Sequence, residues 1–271
     1  MNDVVKDTKP GTFAVATLPV TSTVIHTDGD GLTAGFVDLE IAGQTVPVYR
    51  AQPAGRSNLP VLLVIAEIFG VHEHIADVAR RFAKLGYLAL APQPFVRQGD
   101  PSTIDDIPTL FREIVSKAPD AQVMGDLDAC VAWAAQNGGD TGRLGITGFC
   151  WGGRITWLYA AHNPQVKAGV AWYGRLAGDT NPNQTAHPVD VAPGLTVPVL
   201  GLYGAQDTGI PLDTVEAMKA ALAKGSSGSE FVVYPDAGHA FYADYRPSYN
   251  ERDAKDGFQR TLAWLKEHGA A

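Results

Sequence analysis

The chain has 271 residues, enough for one large domain with a sizeable core, and a formal net charge of −8. That acidic balance, with no run of Lys and Arg, argues against nucleic acid and against an anionic membrane surface as partners. Two cysteines, Cys130 and Cys150, cannot build a disulfide framework, and they suit a reducing, cytoplasmic setting in which a thiol is free for chemistry.

Residues 1–22 mix Thr, Pro and Gly with charged groups and read as an extended arm, with residues 23–271 as a single domain. The first ten residues carry both Lys and Asp, and no apolar segment of the kind a secretory signal requires follows them. The longest apolar stretch, Val61 to Ala66, is far short of the roughly 20 residues that cross a bilayer. Gly35 to Ile41 and Thr45 to Ala51 read as strands on either side of Ala42-Gly43-Gln44, so an antiparallel hairpin opens the sheet. The unbroken apolar run Val61 to Ala66 predicts a strand covered on both faces, as in a parallel sheet between helices. Glu67, Ile68, Phe69 and Gly70 stand at its end.

Ile75, Val78, Phe82 and Leu85 recur at helical spacing, with Gly86 in the stop position. Tyr87 to Ala91 is the next strand. From Pro94 to Pro119 the pattern is less regular, with a helix near Pro108 to Ser116 placed to cover a pocket mouth. A helix from Asp120 to Gln136 sets Val123, Leu127, Cys130, Val131 and Ala134 near one face, which makes Cys130 a buried core thiol.

Leu144 to Gly153 then reads Leu-Gly-Ile-Thr-Gly-Phe-Cys-Trp-Gly-Gly, a short apolar run leading through Gly-x-Cys-x-Gly into a helix from Arg154 to Asn163. This is the form of a nucleophile elbow with sulfur in place of the usual hydroxyl. A thiol over a helix N-terminus is favoured as the reactive thiolate. The remaining elements are a strand from Val166 to Trp172, a loop from Gly174 to Thr196, a strand from Val197 to Tyr203 and a helix from Pro211 to Lys224. A strand from Glu230 to Tyr234 and a helix from Asp253 to His268 close the chain. The alternation predicts an α/β protein with a mostly parallel central sheet, helices on both faces and an antiparallel N-terminal edge.

Catalytic groups of parallel sheets lie at the carboxyl ends of strands. Asp207 follows the strand ending at Tyr203, and His239 follows the last strand, so the order is nucleophile, acid, base, the order of the α/β-hydrolase fold. Asp207 also suits a turn or helix-capping role, and Asp236 is a rival acid better placed to serve its own turn. His72 and His74 have the spacing of a metal pair but lack a third ligand, so no metal is expected. Glu67 stands where a carboxylate can contact the thiol and hold or accept its proton.

Glu67-Ile68-Phe69-Gly70, Gly148 to Gly153 with Cys150 at its centre, the Asp207 turn and Ala237-Gly238-His239 together resemble the dienelactone hydrolase (carboxymethylenebutenolidase) family over roughly Gly35 to His268. The resemblance implies a cysteine-dependent hydrolase of lactones or small carboxylic esters that works through an acyl-thioester. Cys150 is then the nucleophile, His239 the base and later the acid, Asp207 its orienting partner, and Glu67 the switch that binds the resting thiol. The backbone N–H groups of Ile68 and Trp151 form the oxyanion hole, and no cofactor is needed.

The family places an arginine shortly after the catalytic histidine to bind the substrate carboxylate. Here His239 is followed by Ala240-Phe241-Tyr242-Ala243, with no arginine before Arg246. Arg97 and Arg112 are the candidates for a second family arginine, and Phe69, Tyr173, Trp172 and Arg97 are the expected substrate contacts. The partner is a small-molecule ester or lactone, bound by a monomer or small homo-oligomer. The alternative is a non-catalytic protein of the same fold that uses Cys150 for ligand binding or redox sensing.

Overall fold

In a computed structural model that describes residues 22–271, the predicted hairpin forms from β1 (Leu32–Ile41) and β2 (Gln44–Pro53). Then come β3 (Leu59–Ile65), α1 (Glu73–Lys84), β4 (Leu88–Pro92), α2 (Ile107–Glu113), α3 (Asp120–Gln136) and β5 (Gly139–Phe149). The second half contains α4 (Trp151–His162), β6 (Ala168–Trp172), α5 (Pro188–Val191), β7 (Val199–Gly204), α6 (Leu212–Leu222), β8 (Glu230–Tyr234) and α7 (Glu251–Glu267). The expected arm over residues 1–22 falls, but for its last residue, outside the described residues. Among the described residues, no helix is long and apolar enough to cross a membrane.

All eight strands form one sheet in the order β1-β2-β4-β3-β5-β6-β7-β8. The β1–β2 and β2–β4 pairs are antiparallel and the rest parallel. Helices cover both faces, as two glycines of β5 make visible. A Cβ on Gly145 would meet Leu265 of α7, whereas one on Gly148 would meet Gly152 and Thr156 of α4. Positions an odd number of residues apart face opposite sides of a sheet. This two-sided cover is why Val61, Leu62, Leu63 and Val64 are all fully buried, with no polar residue alternating among them.

Two differences from the sequence reading lie next to the elbow and the strand that follows it. The segment 174–196, expected to be loop, contains α5 and a 3-10 turn at Ala192–Gly194. Pro188 presets the first helical φ, and the Asp190 carboxylate accepts from the His187 backbone N–H at 2.8 Å. The helix after the elbow begins at Trp151 rather than Arg154, because Cys150 is itself its N-cap residue.

That early start draws strand and helix into contact. Cys150 has φ 55° and ψ −113°, a left-handed conformation that a β-carbon makes costly. A Cβ on Gly148 would collide with the backbone of Gly152, and one on Gly152 would lie 2.6 Å from the Ala66 carbonyl oxygen. The backbone N–H of Cys150 donates to the Trp172 carbonyl at 3.0 Å, which pins the turn to β6.

The register sets what lies beyond the strand ends. Ile65 pairs with Gly148, Phe149 with Trp172 and Gly204 with Tyr234. Since β3, β5, β6, β7 and β8 are neighbours in that order, the residues that follow them stand along one edge: Glu67, Cys150, Tyr173, Asp207 and His239.

Gly152→Ala should lower the unfolding free energy by about 1–3 kcal/mol, the usual cost of forcing atoms into a packed site, as measured by urea denaturation. Gly125→Ala, in α3 where a Cβ meets nothing within 4 Å, should raise it by up to about 1 kcal/mol. Similar values for the two variants would contradict the close approach at the elbow.

Candidate active site

Three of the residues singled out from sequence meet at the elbow. His239 Nδ1 lies 2.7 Å from Asp207 Oδ2, which leaves Nε2 as the ring nitrogen for the Cys150 thiol. Burial opposes a charge on His239, but the Asp207 hydrogen bond and the adjacent Cys150 sulfur outweigh it and raise its pKa to about 10. Asp207 is held from its other side, where Oδ1 accepts from the backbone N–H of Gly209 at 2.9 Å and of Ile210 at 3.2 Å. Orienting partner and turn-former are therefore one role for this residue. Asp236 is exposed and pairs with Arg252 at the surface, away from His239.

Glu67 is buried behind Cys150. Its Oε2 accepts from the Tyr245 hydroxyl at 2.6 Å, while Oε1 has no hydrogen-bond partner among the described residues. Arg246 Nη1 stands 3.9 Å from Oε1 and His72 Nε2 stands 3.8 Å from Oε2, near enough for charge but too far for a hydrogen bond. Burial works against the carboxylate, yet His72, Arg246 and His74 outweigh it and hold the Glu67 pKa down at about 2. The hydrogen bond expected between Glu67 and the resting thiol is not formed. Tyr245 occupies one carboxylate oxygen, and the thiol's partner is His239.

His72 and His74 have separate employment. Their rings stack with centroids 6.1 Å apart; His72 faces Glu67, whereas His74 Nδ1 lies 3.1 Å from Asp244 Oδ1. Asp244 also accepts from Arg81, which in turn binds Asp77. This buried network anchors the segment after His239 and so positions Tyr245 and Arg246 at Glu67. Among the described residues, no group of three or more His, Cys, Asp or Glu side chains is placed to hold a metal ion.

The thiol opens into a cavity of about 670 Å³. Ile68 and Trp151 line it beside Cys150, and Trp151 is the first residue of α4, where a backbone N–H has no intrahelical acceptor. Phe69 and Tyr173 line it as well. Trp172 does not: it packs against Gly257 of α7 and donates to Thr147 on the far side of the strand. Arg97 is also elsewhere, its guanidinium bound twice by Asp126 of α3 at 2.7 and 2.9 Å. Arg112 is exposed and pairs with Glu113. Of the arginines named from sequence, Arg246 alone reaches the cavity, its guanidinium 5.9 Å from the Phe69 ring.

The helix expected near Pro108 to Ser116 is α2, and it does stand at the mouth. Ile107 and Phe111 line the cavity while remaining 44% and 42% exposed. Sequence reasoning missed Tyr245 and Arg175. Arg175 lines the cavity just beyond β6, with its Nε donating to the Ala177 carbonyl at 3.0 Å. Its position after a central strand is the signal that would have found it.

Tyr173 has the most unusual surroundings. It sits at φ 38° and is fully buried, and its hydroxyl has no hydrogen-bond partner among the described residues. Its ring packs edge-on against His239 at 5.2 Å. Burial, reinforced by the nearby Glu67, raises its pKa well above 10.0. The left-handed backbone and the unpaired hydroxyl each cost about 1–3 kcal/mol, a concentration of unfavourable terms typical of functional positions.

The chain is similar to known proteins over most of its length. Residues 46–269 match the dienelactone hydrolase family. A Salmonella typhimurium protein provisionally named carboxymethylenebutenolidase is 57% identical over 263 residues, 97% of either chain. The crystal structure of a provisionally named dienelactone hydrolase from Klebsiella pneumoniae is 58% identical, with a TM-score of 0.86, and the match covers 88% of this chain and all of that one. The fold alone is shared with Pyrococcus horikoshii acylaminoacyl peptidase, at 15% identity and a TM-score of 0.69 over 89% of this chain and 42% of the other. With an α/β-hydrolase fold, a family match across most of its length and relatives above half identity, the chain belongs to the dienelactone hydrolase family.

Proposed function

We propose that the protein hydrolyses lactones or small carboxylic esters, with Cys150 as nucleophile and an acyl-thioester as intermediate. The observation that carries this reading is the row of adjacent strand ends: a thiol on an elbow, with a His239–Asp207 pair beside it, on the wall of one cavity. Once His239 Nε2 has taken the thiol proton, Cys150 Sγ attacks the carbonyl carbon. The N–H groups of Ile68 and Trp151 stabilise the oxyanion. Collapse breaks the C–O bond, and the imidazolium gives its proton to the leaving oxygen. Water, deprotonated by His239, then attacks the thioester; the C–S bond breaks and the acid departs. Every step uses groups of this chain and water.

Glu67 keeps a fixed negative charge close to these events. To restrain the resting thiol, as the family resemblance implies, its carboxylate has to draw Cys150 from His239 to the oxygen that Tyr245 leaves open, Oε1. The apolar mouth and the guanidinium groups of Arg175 and Arg246 give the substrate site both character and charge.

Cys150→Ala and His239→Gln should each lower kcat on a chromogenic short-chain ester by about a thousandfold or more. Iodoacetamide should label Cys150 and abolish turnover, sparing Cys130, which is fully buried and whose thiol pKa burial pushes up. Labelling of Cys150 in a protein that turns over no ester would instead favour the ligand-binding or redox-sensing alternative.

The His239–Asp207 pair carries a pH signature. A histidine whose pKa rises on folding stabilises the fold fully below its ordinary 6.5 and loses that contribution as pH climbs through about 10. The difference in urea midpoint between wild type and Asp207→Asn should therefore be large below pH 6.5 and shrink towards pH 10. A difference that stays constant over this range would show that the pair does not hold the imidazolium.

A further inference from the structure

Two enclosed polar atoms of opposite kind stand at the nucleophile without hydrogen-bond partners among the described residues. One is the Tyr173 hydroxyl, a donor, and the other is Glu67 Oε1, an acceptor. Both residues line the cavity that holds Cys150 and His239. Each is fixed by something else. Tyr245 holds Glu67 by Oε2, which leaves Oε1 as the open oxygen, and the Tyr173 ring is packed edge-on against His239. The phenol stays protonated at neutral pH because burial and the nearby Glu67 charge oppose its ionisation. It is thus a donor throughout the working range, and Glu67 is an acceptor throughout.

A buried donor and a buried acceptor whose residues line one cavity, and which do not bond to each other, fit a third group that has both a lone pair and a hydrogen. We propose that Tyr173 and Glu67 together hold the water molecule that hydrolyses the acyl-thioester. The hydrogen-bonding capacity of water matches the site in full. One hydrogen goes to Glu67 Oε1 and the other to His239 Nε2. One lone pair accepts from the Tyr173 hydroxyl, and the second points at the acyl carbon. In the step itself, the oxygen forms a bond to the acyl carbon, His239 Nε2 takes one proton, and the C–S bond breaks. That proton then returns to the Cys150 sulfur, leaving a carboxylic acid and a free thiol. Tyr173 and Glu67 transfer no proton; they fix where the oxygen lies and which hydrogen faces the base. Cys150 attacks first without that water, so the pair acts on the second half of the reaction.

This inference rests on the hydrolase reading, and its test separates the two. Stopped-flow release of p-nitrophenol from a short-chain p-nitrophenyl ester is followed in wild type, Cys150→Ala, Tyr173→Phe and Glu67→Gln, each checked for folding by circular dichroism. Tyr173→Phe should slow deacylation by about 10- to 100-fold with kcat/KM, which reports acylation, nearly unchanged. A burst approaching one p-nitrophenol per protein should appear, with the acyl group found on Cys150 by mass spectrometry. Glu67→Gln should show the same burst and the same acyl group on Cys150, whatever its effect on acylation. Hydroxylamine, which attacks the thioester without needing the water site, should restore turnover in both variants. Parallel falls in kcat and kcat/KM without a burst, or no change in either, would overturn the water site and leave the hydrolase reading standing. Absence of turnover in wild type, or full turnover in Cys150→Ala, would overturn both.

Discussion

The structure depends on how closely β5 and α4 pass each other. With no side chain at Gly148 or Gly152, the backbone of α4 lies against β5 and against the end of β3, and Cys150 is pushed into a left-handed conformation at the crest. Side-chain packing could not hold a nucleophile so firmly, because a rotamer change costs little beside a backbone rearrangement. The thiol is thus fixed by the chain itself. The other groups are then brought to it by sheet order, since each ends a strand adjacent to the next in the row.

Charge around the thiol is organised in two tiers. His239 and Asp207 form the tier that faces the sulfur. Behind it, Glu67 is held by Tyr245 and flanked by His72 and Arg246, and the segment that supplies Tyr245 and Arg246 is tied down through Asp244 to His74 and Arg81. Buried ion pairs add little net stability but hold their members in place when hydrogen-bonded on every side. Here the stakes are positional: the Asp244 anchor sets where Tyr245 meets Glu67, and so which carboxylate oxygen stays open.

Much of this was legible in the sequence for a local reason. The Gly-x-Cys-x-Gly run, the apolar strand before Glu67 and the short segments carrying Asp207 and His239 each declare their role within a few residues. What stayed hidden was set by partners far along the chain. Tyr245 lies 178 residues from the Glu67 it binds, and no pattern in either segment announces the other. Arg97 looked available until folding brought Asp126 of α3 against it. Trp172 and Tyr173 are adjacent aromatics, yet β6 ends between them. Trp172 keeps the strand's register, beside Phe149 and against α7, whereas Tyr173 takes φ 38° and lines the cavity.

The sheet also divides its labour unevenly. Every catalytic candidate ends one of the strands from β3 to β8 in the spatial row, whereas β1, β2 and β4 contribute none. The family match begins at residue 46, inside β2, so β1 lies outside it. By pairing along its whole length with β2, β1 takes over the exposed edge that β2 would otherwise present, and an open edge is a template for unwanted association between chains. This end of the molecule is a guard rail: lengthening its hairpin, or fusing a reporter there, alters how the protein meets its neighbours while three strands insulate the candidate site.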